Sequence, residues 1–215
     1  MSITDAQNIH WLGHDSFRID GKNVVIYFDP WKLGKNPKPA DLILISHDHS
    51  DHCSPEDVAK IQNEDTIIVT VQACVPKLSG EIKVVQPGDQ LEILGVTIQA
   101  VPAYNLTKFR SPGVPFHPKE NKFVGFIIAV DGQKIYHSGD TDVIPEMSRF
   151  ETDIALLPVS GIYVMTADEA LQAAEIIRPK LVIPMHIGRG IGSQDDAVRF
   201  KENSKIPVTI LPFET

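Results

Sequence analysis

The stretch that decides the reading is Asp41-Leu-Ile-Leu-Ile-Ser46-His47-Asp48-His49-Ser50-Asp51-His52-Cys53-Ser54-Pro55-Glu56-Asp57. Leu42 to Ile45 form an unbroken apolar run of strand length, which predicts a strand covered on both faces. Ser54-Pro55-Glu56-Asp57 joins a capping serine, a proline at the first helical position and acids in the first turn, so a helix is predicted over Pro55 to Gln62. His47 to His52 therefore occupy the loop between a strand's carboxyl end and a helix's amino end. In extended backbone His47 and His49 point the same way, and past the strand end the chain can turn Asp51 and His52 inward. Imidazole and carboxylate are the donors that zinc, iron and manganese take. The chain has eight histidines, and three of them fall within this loop, so chance clustering in a solvated turn is the poorer explanation.

Working outward, β-leaning segments are predicted at Asn8 to Leu12, Ser16 to Ile19 and Asn23 to Phe28, with Asp20-Gly21 as a hairpin turn. Further strands are predicted at Thr66 to Val71, Ile82 to Gln86 and Val96 to Val101. Asn105 to Lys122 is a long polar stretch without periodicity, of a length that in compact folds is usually functional or disordered. Phe123 to Val130 and Lys134 to Tyr136 read as a second hairpin around Asp131-Gly132. Strand and helix then alternate: Ile154 to Pro158, Ala167 to Ile177 behind the capping box Thr166-Ala-Asp-Glu169, Leu181 to Pro184, Gln194 to Glu202, and Val208 to Leu211. No fixed-period repeat is present. An α/β fold of two mixed sheets packed together, with helices outside each, satisfies this order.

Composition narrows the function classes. The chain of 215 residues, 42% hydrophobic and 22% charged, suits one α/β domain over residues 1–215. No run approaches the roughly 20 apolar residues of a membrane span, and Met1 to Asn8 lack the basic and apolar regions of a secretory signal. A cytoplasmic protein is expected. A net charge of −8 argues against nucleic acid bound through a broad basic face. Cys53 and Cys74 are too few for a disulfide framework, and Cys53, although it follows the histidine loop, reads as a small buried thiol.

The pattern His-x-His-x-Asp-His, met at His47, His49, Asp51 and His52, resembles that of the metallo-β-lactamase superfamily. Tyr136-His-Ser-Gly-Asp-Thr141 resembles its later Gly-Asp motif, which implies Asp140 as a carboxylate bridging two metals. Val182-Ile-Pro-Met-His186 resembles its final histidine, and Asp29 its early aspartate, which supports the histidine loop without binding metal. Trp11-Leu-Gly-His14 narrows the resemblance to the branch of L-ascorbate-6-phosphate lactonase and the N-acylphosphatidylethanolamine-hydrolysing phospholipase D. The resemblance spans residues 11 to 186. It implies a four-layer αββα sandwich, one or two divalent ions, zinc foremost with manganese or iron as alternatives, and hydrolysis of an ester, lactone or phosphodiester bond. His47, His49, Asp51, His52, His117, Asp140 and His186 are the expected metal residues, and Asp51, Asp140 and Tyr104 the expected catalytic ones.

One departure stands out. The superfamily expects a histidine after the strand ending near Val101, where this chain reads Pro102-Ala-Tyr-Asn105. Either His117 folds back from the long loop to complete the first site, or Tyr104, a water or nothing fills the position. His14 and His137 are expected beside ligands rather than on the metal, His10 in a structural role, and Asp142 as an exposed helix-start acid. Lys108, Arg110, Lys119 and Lys122 in the long loop suggest a small substrate bearing phosphate or carboxylate. The competing readings are a binding module with a degraded site and a non-hydrolytic di-iron protein. No membrane or nucleic-acid partner is expected.

Overall fold

The computed structural model describes residues 6–214; the first five residues, part of the argument against a secretory signal, lie outside it. Strands β1 (Ile9–Gly13), β2 (Ser16–Asp20), β3 (Val25–Phe28), β4 (Leu42–Ile45), β5 (Ile67–Thr70) and β6 (Glu81–Val84) form one sheet in sequence order. β1 to β3 pair antiparallel through tight turns, and β3 to β6 pair parallel. The parallel step from β4 to β5 carries α1 (Pro55–Ile61), whose Ser54 cap accepts from the Asp57 amide. A parallel pair needs such a crossover, which explains why the histidine loop leads into a helix.

The second sheet has the order β14-β13-β12-β11-β8-β7, built from β7 (Gln90–Ile93), β8 (Val96–Pro102), β11 (Val124–Val130), β12 (Gln133–His137), β13 (Ile154–Pro158) and β14 (Leu181–Met185). Between β8 and β11 the long loop forms a small hairpin, β9 (Phe109–Ser111) with β10 (Val114–Pro115). α2 (Ala167–Ile177) joins parallel β13 and β14, and α3 (Gln194–Asn203) follows and packs on α2. The strand expected at Val208 to Leu211 is instead an extended segment with one bridge, Val182 to Val208. It meets β14 through two bonds, Val182 N to Pro207 O at 2.9 Å and Thr209 N to Val182 O at 3.0 Å. β7 and the β9–β10 hairpin were not anticipated, because their alternation is short and mostly exposed.

The two sheets meet over a core that includes Phe17, Phe28 and Phe126, all fully buried. Phe28 of the first sheet stacks on His137 of the second with ring centroids 4.8 Å apart and lies 6.4 Å from Phe126. Burial of one such aromatic contributes about 1.5–3 kcal/mol. At one end of this seam the Val124 amide donates to Ser46 O at 3.2 Å, joining the start of β11 to the end of β4. Gly125 makes room there: a Cβ would lie 2.6 Å from Ser138 O and 2.8 Å from His137 O. The turn carrying Asp140 can therefore press against β11, which brings the second sheet's carboxylate to the first sheet's histidines.

Candidate metal centre

At the strand ends along this seam, eight side chains form two groups. Within each group, potential donor atoms lie within 4.8 Å of one another: His47, His49, His117 and Asp140 in one, His14, Asp15, His52 and His186 in the other. Donors about 2.0–2.2 Å from one ion are at most about 4.4 Å apart, so both groups have nearly the required size.

The first group shows why a cation fits. Ser46 Oγ donates to Asp29 Oδ2 at 2.6 Å, so its contact with His47 Nδ1 at 2.9 Å needs the ring to be the donor there. That leaves His47 Nε2 as a bare lone pair. His117 Nδ1 donates to Asn105 Oδ1 at 2.7 Å, which likewise leaves His117 Nε2 bare. These two nitrogens lie 3.1 and 3.2 Å from His49 Nδ1. Lone pairs converging at such distances repel unless a proton or a cation sits among them. A proton on His49 Nδ1 can serve only one of the two nitrogens, and burial, and then the charge on His52, holds His47 well below the ordinary histidine range, so a further proton is the unfavourable remedy.

Asp140 faces both groups. Its Oδ2 is 3.2 Å from His117 Nε2 and 3.9 Å from His47 Nε2, while its Oδ1 is 3.3 Å from His52 Nε2. Burial alone would raise its pKa, but the charges on His52 and then His186 hold it well below the usual carboxylate range.

In the second group, Asp29 accepts from Ser46 N at 2.7 Å and from His52 Nδ1 at 2.8 Å. The bond to His52 turns His52 Nε2 into the pocket, where it has no hydrogen-bond partner among the described residues; His186 Nε2 is in the same condition. His14 and His186 both adopt left-handed backbone, φ 54° and 59°, a conformation that costs a non-glycine residue energy and often marks functional sites. The two turns are clasped together: His14 N donates to Ile187 O at 3.1 Å and His186 N to His14 O at 3.3 Å.

The expected site residues separate as follows. His47, His49, His52, His117, Asp140 and His186 come together. Asp51 sits at the rim, its Oδ2 3.2 Å from His14 Nε2 and 4.0 Å from His52 Nε2; the compact second group contains Asp15 instead. His14 lies within that group rather than behind it. His137 stays outside and bonds Asp15 O through Nε2 at 2.8 Å, and His10 pairs with Asp20 and Glu214 away from the site. Tyr104 does not reach the donors, because its hydroxyl donates to Glu146 Oε2 at 2.8 Å and accepts from Lys119 at 3.3 Å. Asn105, where a histidine was expected, is the buttress of His117: besides the ring bond, its Oδ1 accepts the His117 amide at 2.9 Å. Asp142 is buried, not exposed. It accepts from Asn105 Nδ2, the Leu106 and Thr107 amides and the Thr107 hydroxyl, tying down the start of the long loop. Cys53 and Cys74 are buried and belong to neither group.

The loop cations are mostly taken up. Lys108 binds both oxygens of Glu169 at 2.7 Å, Lys119 pairs with Glu146 at 2.9 Å and Lys122 donates to Gln86 at 3.0 Å. Arg110 lies over the Phe116 ring and makes no ion pair among the described residues.

A consequence for metal uptake follows from the pKa directions. Burial would lower His52, yet Asp140 and Asp29 lift it well above the ordinary histidine value; His186 is lifted by Asp140 and then Asp15 against the same burial. In protein stripped of metal these rings hold protons that a metal must displace, so apparent affinity should strengthen as pH rises from about 6.5. Calorimetric titration with Zn2+ at pH 7, in two buffers of different ionisation enthalpy, should show proton release. Identical heats in both buffers would rule this out.

Two mixed sheets whose seam carries adjacent imidazole–carboxylate groups are the layout of the metallo-β-lactamase fold. The chain belongs to the beta-lactamase superfamily domain family, whose model matches residues 8–186. A UPF0173 metal-dependent hydrolase of Thermoplasma acidophilum is 36% identical over 211 residues, covering 90% of this chain and 88% of the relative. A crystal structure from Parabacteroides distasonis, of a protein classed provisionally as a metal-dependent hydrolase, is 33% identical with a TM-score of 0.82, covering 96% of this chain and 93% of that one. The diiron β-hydroxylase CmlA of Streptomyces venezuelae, 12% identical with a TM-score of 0.72 over 94% of this chain and 52% of its own, shares the fold alone. By family this chain is a metal-dependent hydrolase. Among the described residues no helix is long and apolar enough to cross a membrane.

Proposed function

We propose that the chain uses two divalent ions to hydrolyse an ester, lactone or phosphodiester bond in a small substrate. The observation that carries this reading is Asp140, which stands between the two donor groups, its Oδ2 3.2 Å from His117 Nε2 and 3.6 Å from His186 Nε2 and its Oδ1 3.3 Å from His52 Nε2. His47, His49, His117 and Asp140 would hold one ion, and three imidazoles with a carboxylate are a zinc donor set. His14, Asp51, His52 and His186, again with Asp140, surround the place of the other. When bound, two such ions would supply Lewis acidity toward a carbonyl or phosphoryl oxygen and would make a nearby water more acidic.

The chain's own residues set where reaction occurs. His49 and Asp51 are the partly open members of the cluster, and the other donors are buried. Substrate therefore approaches over the histidine loop. Asp51 stands at that opening with its Oδ2 engaged by His14, placed to orient an attacking water or accept its proton. Burial opposes its ionisation, but the hydrogen bond from His14 and the charge on His52 keep it ionised far into acid. With Lys108 and Lys119 paired to acids, Arg110 and Lys122 are the loop cations without an acidic partner among the described residues, and they are the ones left for an anionic group.

Elemental analysis of wild type beside His117→Ala tests the reading, together with turnover of a 4-nitrophenyl ester, a lactone and bis(4-nitrophenyl) phosphate. Two ions per chain in wild type, about one in the variant, and turnover that depends on both are expected. Wild type that binds no metal, or that is fully active without it, would overturn the proposal.

A further inference from the structure

Asp15 enters neither the sequence motifs nor the roles assigned so far. Its side chain is fully buried, and neither carboxylate oxygen has a hydrogen-bond partner among the described residues. Yet Asp15 Oδ2 lies 3.5 Å from His52 Nε2, 3.8 Å from His14 Nε2 and 4.0 Å from His186 Nε2. These contacts are too long for good hydrogen bonds and similar to one another, the spacing of donors arranged around a common centre. The position is built from several directions: the left-handed turn at His14 aims the residue inward, the clasp to Ile187 and His186 fixes that turn, and His137 holds the Asp15 carbonyl. An acid serving only as a counter-ion would be expected to take at least one direct bond from its histidines.

Resting on the two-ion reading above, we propose that Asp15 is a further metal donor that sets metal choice in the second pocket. With Asp51 and Asp140 it brings three carboxylates to three imidazoles. That set exceeds what four-coordinate zinc uses and suits a six-coordinate Mn2+ or Fe2+ ion, since oxygen donors favour manganese and mixed imidazole–carboxylate sets serve iron. The first pocket, with three imidazoles and one carboxylate, keeps the zinc pattern. The protein is then built for two different ions.

The test uses the full chain carrying His117→Ala, so that the second pocket can be read by itself, with Asp15 intact or changed to Asn or Ala. Cobalt(II) absorption reports coordination number, weak visible bands for six donors and intense ones for four. Equilibrium dialysis against Mn2+ and Zn2+ together reports preference, and circular dichroism reports folding. With Asp15 intact, weak cobalt bands and retained manganese are expected. Either Asp15 variant should intensify the bands and shift the manganese-to-zinc ratio toward zinc by at least about tenfold. Intense bands with Asp15 intact would overturn the inference even if the variants fail to fold, and so would an unchanged spectrum and ratio in folded variants. Failure of the two-ion reading looks different: wild type with His117 present would then bind fewer than two ions.

Discussion

Asp140→Asn is expected to cut turnover by at least about a hundredfold and to lower the metal bound by both pockets. The amide preserves shape but removes the anion that both donor groups face. His52 and His186 lose their common counter-charge inside a buried pocket, where the Asp140 side chain is only 4% exposed. Because Asp140 lifts both rings, their pKa values should fall in the variant, and histidine NMR on metal-stripped protein reads that directly. A purified Asp140→Asn protein with two ions and wild-type rate would remove the bridging role.

The second large effect is structural and comes from a residue outside both donor groups. Asp29 is fully buried, adopts φ 41°, and gathers the Ser46 amide, the Ser46 hydroxyl and His52 Nδ1 on one carboxylate. Burial opposes its ionisation, but the charge and hydrogen bond of His52 prevail and lower its pKa. Asp29→Ala leaves a charged His52 and a strand-end amide unpaired, which should cost about 3–5 kcal/mol. In a chain of this size that is a fall of roughly 6–20 °C in unfolding temperature. Asp29→Asn should cost less, because it keeps an acceptor and asparagine tolerates left-handed backbone. An Ala variant melting within two or so degrees of wild type would show that the histidine loop holds itself.

Much of the fold was legible from periodicity and punctuation. α2 carries its capping box and begins and ends as predicted, and the apolar run Leu42 to Ile45 is buried along its whole length. What escaped was short or context-bound: β7 has too little alternation to stand out, and the segment after Pro207 makes one bridge where a strand was expected. The histidine loop was legible because its donors are close in sequence. His117 was visible only as one of several candidates, since its place depends on Asn105, twelve residues away. Asp15 was missed because an acid beside a histidine carries no spacing signal. Its meaning comes from the left-handed turn, and the clue available was Gly13-His14-Asp15 at the end of β1, where two donors follow a glycine. Asp142 was misread as an exposed cap because its partners come from a loop with no periodicity.

The clasp between the His14 and His186 turns also bears on how the protein is made. The amino-terminal sheet brings His14, Asp15, His47, His49, Asp51 and His52, while His117, Asp140 and His186 come from later in the chain. A nascent polypeptide leaving the ribosome thus displays incomplete chelating fragments, each open to capture by whatever cation is abundant, until the last strand of the second sheet docks. Both donor groups are therefore completed only by residues that follow the first sheet in the chain, His117 and Asp140 for one and His186 for the other.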